Sequence, residues 1–146
     1  ITGRATMITA KNIMVVDDEA GTRNLLYGVL TEQGFRVTLA RDGQDSWNQM
    51  KRKRFDLLIT DINMPRLDGL GLLKRMQKNR RGEKVMVMTG GYLEYEDLGD
   101  NFPQIRVLLR KPFRISFFVE TVTSLLASQN PENKQSLFEG EQRGRD

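Results

Sequence analysis

The stretch FDLLITDINMPRLDG, residues 55–69, is the most informative part of the sequence for the fold. Its aliphatic run, followed by turn residues, is typical of a fully buried strand, and this strand ends in a carboxylate at Asp61. Asn63, Pro65 and Gly69 then predict a turn, with Asn63 and Gly69 as turn formers. A buried strand that ends in a charged group indicates that this end of the strand faces a polar site.

Similar strands alternate with helical patterns along the chain. The predicted strands are residues 13–16, 35–39, 57–60, 85–88 and 105–109. Apolar residues recur at helical spacing after the first three strands and after the last, whereas residues 91–102, which contain Gly99, predict only a weak helix. This alternation predicts an α/β fold in which helices cover both faces of a doubly wound, five-stranded parallel sheet.

The composition bounds the size of this fold and its setting. With 146 residues, of which 38% are hydrophobic, the chain can form one core but not two independent domains. Residues 11–128 are the predicted domain, between an N-terminal extension at 1–10 and a polar tail at 129–146. Part of the extension is expected to be foreign, because Met7 would suit a natural start.

No apolar run reaches the roughly 18 residues that a membrane span requires, and no signal sequence begins the chain. We therefore expect a soluble, cytoplasmic protein with no membrane partner. The sequence contains no Cys and no His, which excludes disulfides, thiolate chemistry, histidine bases and most zinc or haem sites. Any chemistry must use carboxylates, hydroxyls, lysines and hard cations.

Polar residues stand at the ends of four of the predicted strands. Asp17 and Asp18 follow the first strand, Asp61 the third, Thr89 the fourth and Lys111 the fifth. In open parallel sheets, ligands bind outside the carboxyl ends of the strands, so these side chains are expected to converge there. The predicted site therefore holds three carboxylates, one hydroxyl and one ammonium.

Three carboxylates in one pocket repel each other unless a cation neutralises them. With only oxygen ligands, Mg²⁺ is the cation that such a site favours, and it also binds phosphate oxygens. Together with Thr89 and Lys111, it would suit a phosphoryl group carried on Asp61 as the nucleophile. Gly90 would leave room for the phosphoryl group.

These residues resemble the receiver domain of two-component response regulators. The motifs that carry the resemblance are Asp17-Asp18, TDINMPRLDG around Asp61, Thr89-Gly90 and Lys111-Pro112-Phe113. It covers about residues 11–128 and implies a flavodoxin-like, CheY-like fold with strand order 2-1-3-4-5. It also implies a phosphoprotein of a two-component phosphorelay in signal transduction, which is not a turnover enzyme on a separate substrate.

The resemblance assigns a role to each site residue. Asp61 would accept a phosphoryl group from a histidine kinase or a histidine phosphotransfer protein. Asp18, Asp61 and the backbone carbonyl of Asn63 would bind Mg²⁺, and Asp17 would assist through water. Thr89 and Lys111 would hold the phosphoryl oxygens.

The resemblance also implies a cis bond between Lys111 and Pro112, and a downstream protein target on the surface of the fourth helix, fifth strand and fifth helix. Many receivers carry Tyr or Phe three residues before this lysine, where the present chain has Leu108. We therefore predict that Leu108 only packs, and that phosphorylation reorders residues 91–102, so that Tyr92 or Tyr95 presents the changed surface.

Other interpretations stay open for single motifs. Asp17-Asp18-Glu19 alone would suit a helix N-terminus, and Asp61 alone would cap a turn. A haloacid-dehalogenase-type phosphatase would carry a second acid at position 63, which is Asn, and a flavodoxin-like cofactor site would not have an acidic first loop. An interaction module of the same fold that is never phosphorylated is the remaining alternative, as is a receiver cut from a longer regulator rather than a stand-alone one.

Two basic clusters lie at the predicted ends of the second and third helices. They are Lys51-Arg52-Lys53-Arg54 and the set Lys74, Arg75, Lys78, Arg80 and Arg81. Cations at helix C-termini offset the negative end of the helix dipole, so a solvated face is expected, pointing away from Asp61. Nucleic acid is the weaker alternative, since no helix-turn-helix pattern is present.

Overall fold

The structure, a computed structural model, describes residues 10–64, 66–90 and 95–127. The strands are β1 (Asn12–Val16), β2 (Arg36–Ala40), β3 (Leu57–Asp61), β4 (Lys84–Thr89) and β5 (Ile105–Arg110). The helices are α1 (Ala20–Glu32), α2 (Gly43–Met50), α3 (Gly69–Lys78), α4 (Tyr95–Asn101) and α5 (Ile115–Ala127). All five predicted strands are confirmed, each with ends within one residue of the prediction.

The strands form one parallel sheet in the predicted order, β2-β1-β3-β4-β5. The register keeps the carboxyl ends of the central strands level, because Val16 pairs with Thr60 and Asp61 with Met88. Consequently the residues that end β3 and β4 and those that follow β1 and β5 share one edge of the sheet. We call this the carboxyl edge, and the opposite one the amino edge.

Two apolar cores, one on each face of the sheet, explain why the strands are hydrophobic throughout. On one face, strand residues pack with Trp47 and Met50 of α2, Leu72 of α3 and Leu98 of α4. On the other face, the core is completed by residues of α1 and α5, among them Leu26, Leu30, Phe118 and Val122. The chain is therefore doubly wound, as the sequence predicts.

Close approach of backbones explains the glycines that begin α2 and α3. Gly69, predicted to be a turn former, is in fact the first residue of α3, after Asp68, whose Oδ1 accepts from the Gly71 amide at 2.9 Å. A Cβ at Gly69 would lie 2.6 Å from the carbonyl oxygen of Asp61. A Cβ at Gly43 would lie 2.0 Å from the Leu67 carbonyl oxygen. A side chain at Gly69 would push the start of α3 away from the end of β3, and one at Gly43 would push the β3–α3 loop away from α2.

The predicted weak helix is present as α4, and residues 91–94, with Tyr92, lie outside the described residues, as does the side chain of Tyr95. Leu108 is fully buried in the same core cluster as Leu98 and Phe102. Its side chain thus packs, as predicted. Whether α4 is reordered by phosphorylation stays a prediction.

The first basic cluster lies at the amino edge, between α2 and β3. In the second cluster, Lys74, Arg75 and Lys78 belong to α3, and Arg80 and Arg81 follow it at the amino edge, before β4. Residues 51–54 are exposed, as predicted. Arg81 is the correction: its side chain is only 8% exposed and pairs with Glu83 at 2.6 Å. Burial requires a partner for its charge, and Glu83 supplies one.

None of the helices in the described part of the chain is long and apolar enough to cross a membrane.

Candidate functional site

The two aspartates that follow β1 differ in exposure. Asp17 is fully buried, and its Oδ1 accepts a hydrogen bond from the Glu19 amide at 2.9 Å. Asp18 is exposed at the mouth of the site. The chain turns here into α1, so one carboxylate points into the protein and its neighbour points toward solvent.

Asp61 ends β3 as its last residue and is 8% exposed. Its Oδ1 accepts from the Asn63 amide at 3.3 Å. The preceding Thr60 is fully buried and donates its hydroxyl to the Asp61 carbonyl oxygen at 2.9 Å. The Asn63 amide thus holds the carboxylate, and Thr60 holds the backbone of the same residue.

Lys111 joins these carboxylates. Its Nζ donates to Asp17 Oδ2 at 3.1 Å and to Asp61 Oδ2 at 3.2 Å. The Lys111 amide donates to the Thr89 carbonyl oxygen at 2.8 Å, which fixes the lysine beside the end of β4. The Lys111–Pro112 peptide bond is cis, which confirms the prediction.

Oxygens of Asp17, Asp18 and Asp61 all lie within 4.8 Å of one another, a spacing suited to one small cation. Burial raises the pKa of Asp17, the charge of Asp61 raises it further, and the Glu19 amide and Lys111 do not cancel these effects. Burial alone would lower the pKa of Lys111, but the charges of Asp17 and Asp61 outweigh it and raise that pKa. One ammonium therefore serves a site with an excess of carboxylate.

The remaining predicted residues are at the same edge. Thr89 ends β4 and is fully buried, and a Cβ on the exposed Gly90 would meet no atom within 4 Å, so this position borders open space. Asn63 is exposed and lines a cavity of about 360 Å³ with Asp18, Met64 and Asp68. The structure thus brings all the predicted site residues to the carboxyl edge.

Two residues near the site were not predicted. Arg23 of α1 donates its Nη1 to the Asp17 carbonyl oxygen at 2.7 Å and so fixes the loop that carries both aspartates. No spacing rule indicates this contact, because it depends on how α1 leaves the sheet. Asp68 borders the cavity and caps α3. An aspartate directly before the glycine that begins a helix is a signal that could have been used.

Known proteins share this sequence pattern. The family model described as the response regulator receiver domain matches residues 13–123. The response regulator receiver protein CpdR of Brucella abortus is 28% identical over 116 residues, which are 80% of this chain and 97% of CpdR. The transcriptional regulatory protein FixJ of Bradyrhizobium diazoefficiens is 38% identical over 84 residues, which are 58% of this chain and 41% of FixJ.

The response regulator MprA of Mycobacterium avium is 30% identical over 121 residues, which are 83% of this chain and 53% of MprA. The chain thus spans about half, or less, of the length of MprA and FixJ. Among solved structures, the chemotaxis protein CheY4 of Vibrio cholerae matches with a TM-score of 0.72 and 26% identity, over 81% of this chain and 100% of CheY4.

The response regulator TrrA of Thermotoga maritima, solved in complex with Mg²⁺ and BeF, matches with a TM-score of 0.69 and 32% identity, over 80% of this chain and 99% of TrrA. The sheet order and the acidic carboxyl edge define a CheY-like signalling module. The chain belongs to the response regulator receiver domain family of two-component systems.

Proposed function

We propose that residues 11–128 form a cytoplasmic receiver domain that accepts a phosphoryl group on Asp61 from a histidine kinase or a histidine phosphotransfer protein. The observation that carries the proposal is the convergence of three carboxylates within 4.8 Å beside the ammonium of Lys111. A structural ion pair would need only one carboxylate. The excess of negative charge is what a divalent cation and a phosphoryl group would use.

Mg²⁺ is the proposed cofactor, held by Asp18, Asp61 and the backbone carbonyl of Asn63, with Asp17 acting through water. The donor set consists of oxygens, which Mg²⁺ prefers, and the cavity beside Asp18 and Asn63 leaves space for its waters. The Mg²⁺ and BeF complex of TrrA supports the same chemistry. When bound, Mg²⁺ would neutralise charge on the phosphoryl oxygens.

The protein's own residues would carry the transfer. An oxygen of Asp61 attacks the phosphorus of the donor phosphohistidine, and the new P–O bond forms as the P–N bond breaks. The imidazole nitrogen keeps the electron pair of that bond and takes up a proton. Lys111 would place its charge on the phosphoryl oxygens, and Thr89 would donate its hydroxyl to one of them. The domain is a phosphoacceptor that assists its own transfer and hydrolysis.

Acetyl phosphate, a small acyl phosphate, tests this proposal without the unidentified kinase. The wild-type chain should gain the mass of one phosphoryl group in Mg²⁺ and none in excess EDTA. Asp61→Asn should gain none. Asp45→Asn, which makes the same change at a carboxylate of α2, is the control and should behave as wild type. Labelling of Asp61→Asn equal to that of wild type would overturn the proposal.

The output is proposed to pass through α4, β5 and α5 to a protein target. Leu108 cannot act as a swinging aromatic ring, so we expect the phosphoryl group to reorder residues 91–102 instead. Hydrogen exchange with and without beryllofluoride measures this, and protection should change most across residues 89–102. A change confined to α5 would contradict it.

A further inference from the structure

The amino edge carries a surface that the phosphoacceptor chemistry does not use. We define the basal cationic face by its six exposed members: Lys51, Arg52, Lys53, Arg54, Lys78 and Arg80. Neither residues 51–55 nor residues 78–82 contain an acid. From sequence alone this face is expected to be solvated, but the structure adds three observations that favour a ligand.

The first observation is that hydrogen bonds of Arg81 and Glu83 join the two basic loops into one surface. The guanidinium of Arg81 donates Nη1 to the Met50 carbonyl oxygen and Nη2 to the Lys53 carbonyl oxygen at 2.9 Å. Glu83 accepts from Arg81 and also from the Phe55 amide at 3.1 Å. Two runs of like charge that repel each other are therefore held together, although solvation alone would favour their separation.

The second observation is the backbone of Arg80. Its φ is 56°, and the Arg80 and Arg81 amides donate to the carbonyls of Gln77 and Met76, so Arg80 occupies the left-handed position after α3. Glycine is the usual residue there, because a side chain in this conformation strains the backbone. An exposed arginine thus stands where glycine would relieve the backbone strain.

The third observation is that further cations crowd the same edge. Lys11 precedes β1, Lys84 begins β4 and Arg106 lies near the start of β5. Burial lowers the pKa of Lys84, and the charges of Arg106 and Lys11 lower it further, although Asp56 opposes them. Positive charge therefore extends across the edge from the basal cationic face.

We propose that the basal cationic face binds the phosphate backbone of double-stranded DNA without reading its sequence. Lysine and arginine side chains on loops make this type of contact with phosphates. Within the described residues, the large hydrophobic side chains that are exposed are Leu25 and Tyr27, both on α1. The face thus lacks the apolar centre of a protein interface, the wedge of a membrane anchor and the aromatic rings that stack single strands.

Fluorescence anisotropy with a labelled DNA duplex of about 20 base pairs tests the proposal on the full, unphosphorylated chain. We expect weak binding, on the order of 10–100 μM near physiological salt. Arg52→Gln with Arg54→Gln should weaken it about 10-fold and reduce the slope against log salt by roughly 2. The control is Arg41→Gln with Arg114→Gln, which removes equal charge from exposed positions at the carboxyl edge and should bind as wild type.

Three results would overturn the proposal. The wild-type chain could fail to bind the duplex, or both double variants could lose affinity equally, or the chain could bind phosphatidylserine vesicles and leave the duplex free. Because the chain is tested without Mg²⁺ or a phosphoryl donor, failure here leaves the proposed phosphoacceptor function untouched.

Arg80→Gly gives an independent test, because its two expected effects have opposite signs. Glycine should relieve the left-handed strain and raise the midpoint of thermal unfolding, while the loss of one cation should weaken duplex binding about 3-fold. If Arg80→Gly is more stable than wild type and binds the duplex as tightly, Arg80 does not belong to the DNA-binding surface.

Discussion

The two edges of the sheet both bury ionised groups, but in different proportions. At the carboxyl edge, Lys111 lies 3.1 Å from Asp17 and 3.2 Å from Asp61, so one cation serves two buried carboxylates. At the amino edge, Arg81 and Glu83 pair one to one at 2.6 Å, and backbone groups satisfy their remaining hydrogen bonds. The first set is unbalanced in charge and the second is balanced.

The pKa values of the two buried acids show the consequence. Burial raises the pKa of Asp17, and its partners do not compensate. Burial also acts to raise the pKa of Glu83, but Arg81 and the Phe55 amide outweigh it, so that pKa is lowered. A balanced pair favours the ionised form of its acid in the fold, whereas an unbalanced set disfavours that form and costs stability that a bound cation can restore. This difference distinguishes a structural ion pair from the proposed Mg²⁺ site.

The largest effect on stability is expected from breaking the balanced pair. Arg81→Met would leave the buried Glu83 carboxylate without its partner and should lower the free energy of unfolding by about 3 kcal/mol. Denaturant unfolding measures this. Arg81→Met combined with Glu83→Leu should recover part of the loss, since it removes the unpaired charge. If the free energy of unfolding of Arg81→Met falls by less than about 0.5 kcal/mol, the Arg81–Glu83 pair is not a balanced, buried pair.

A smaller effect of opposite sign is expected at the carboxyl edge. Asp17→Asn removes one of the crowded carboxylates and leaves Asp61 to Lys111, so it should raise the free energy of unfolding by about 1 kcal/mol in EDTA. The same variant should bind Mg²⁺ more weakly, although less so than Asp18→Ala, which removes a proposed direct ligand. Destabilisation of Asp17→Asn in EDTA would mean that Asp17 is structural.

The smallest expected effect is on the pH dependence of the free energy of unfolding, which should have opposite signs for the buried acids of the two edges. The pKa of Glu83 is lowered from 4.5 in the fold, so its stabilisation is present above that value and is lost as the pH falls through the folded pKa. The pKa of Asp17 is raised from 3.8, so its ionisation opposes folding as the pH rises through that range.

Unfolding in urea between about pH 3 and pH 7 checks both signs. The stability of Glu83→Gln should approach that of wild type only at the acid end, and the advantage of Asp17→Asn in EDTA should disappear there. Parallel curves for wild type and Glu83→Gln would show that this carboxylate does not titrate with unfolding.

The fold was predictable because strand and helix periods are local. The carboxyl edge was predictable for a related reason: in a parallel sheet, the residue after each strand has a known position, which places Asp17, Thr89 and Lys111 without knowledge of packing. The burial of Arg81 was not predictable, because its sequence neighbours are exposed cations. Its burial depends on carbonyl groups of Met50 and of the loop after α2.

Gly69 shows the same limit. A turn and a close approach of two backbones both favour glycine, and only the position of the Asp61 carbonyl oxygen distinguishes them. The contact of Arg23 with the Asp17 carbonyl likewise depends on the direction of α1. Contacts between elements decide these residues, and sequence spacing does not record them.

The most direct test of the unbalanced carboxyl edge is the free energy of unfolding as a function of Mg²⁺ concentration. We predict that wild type gains about 1.4 kcal/mol when Mg²⁺ reaches ten times its Kd, that Glu83→Gln gains as much from its lower starting point, and that Asp18→Asn gains almost nothing. Equal stability of wild type at every Mg²⁺ concentration, or an equal gain in Asp18→Asn, would contradict the account.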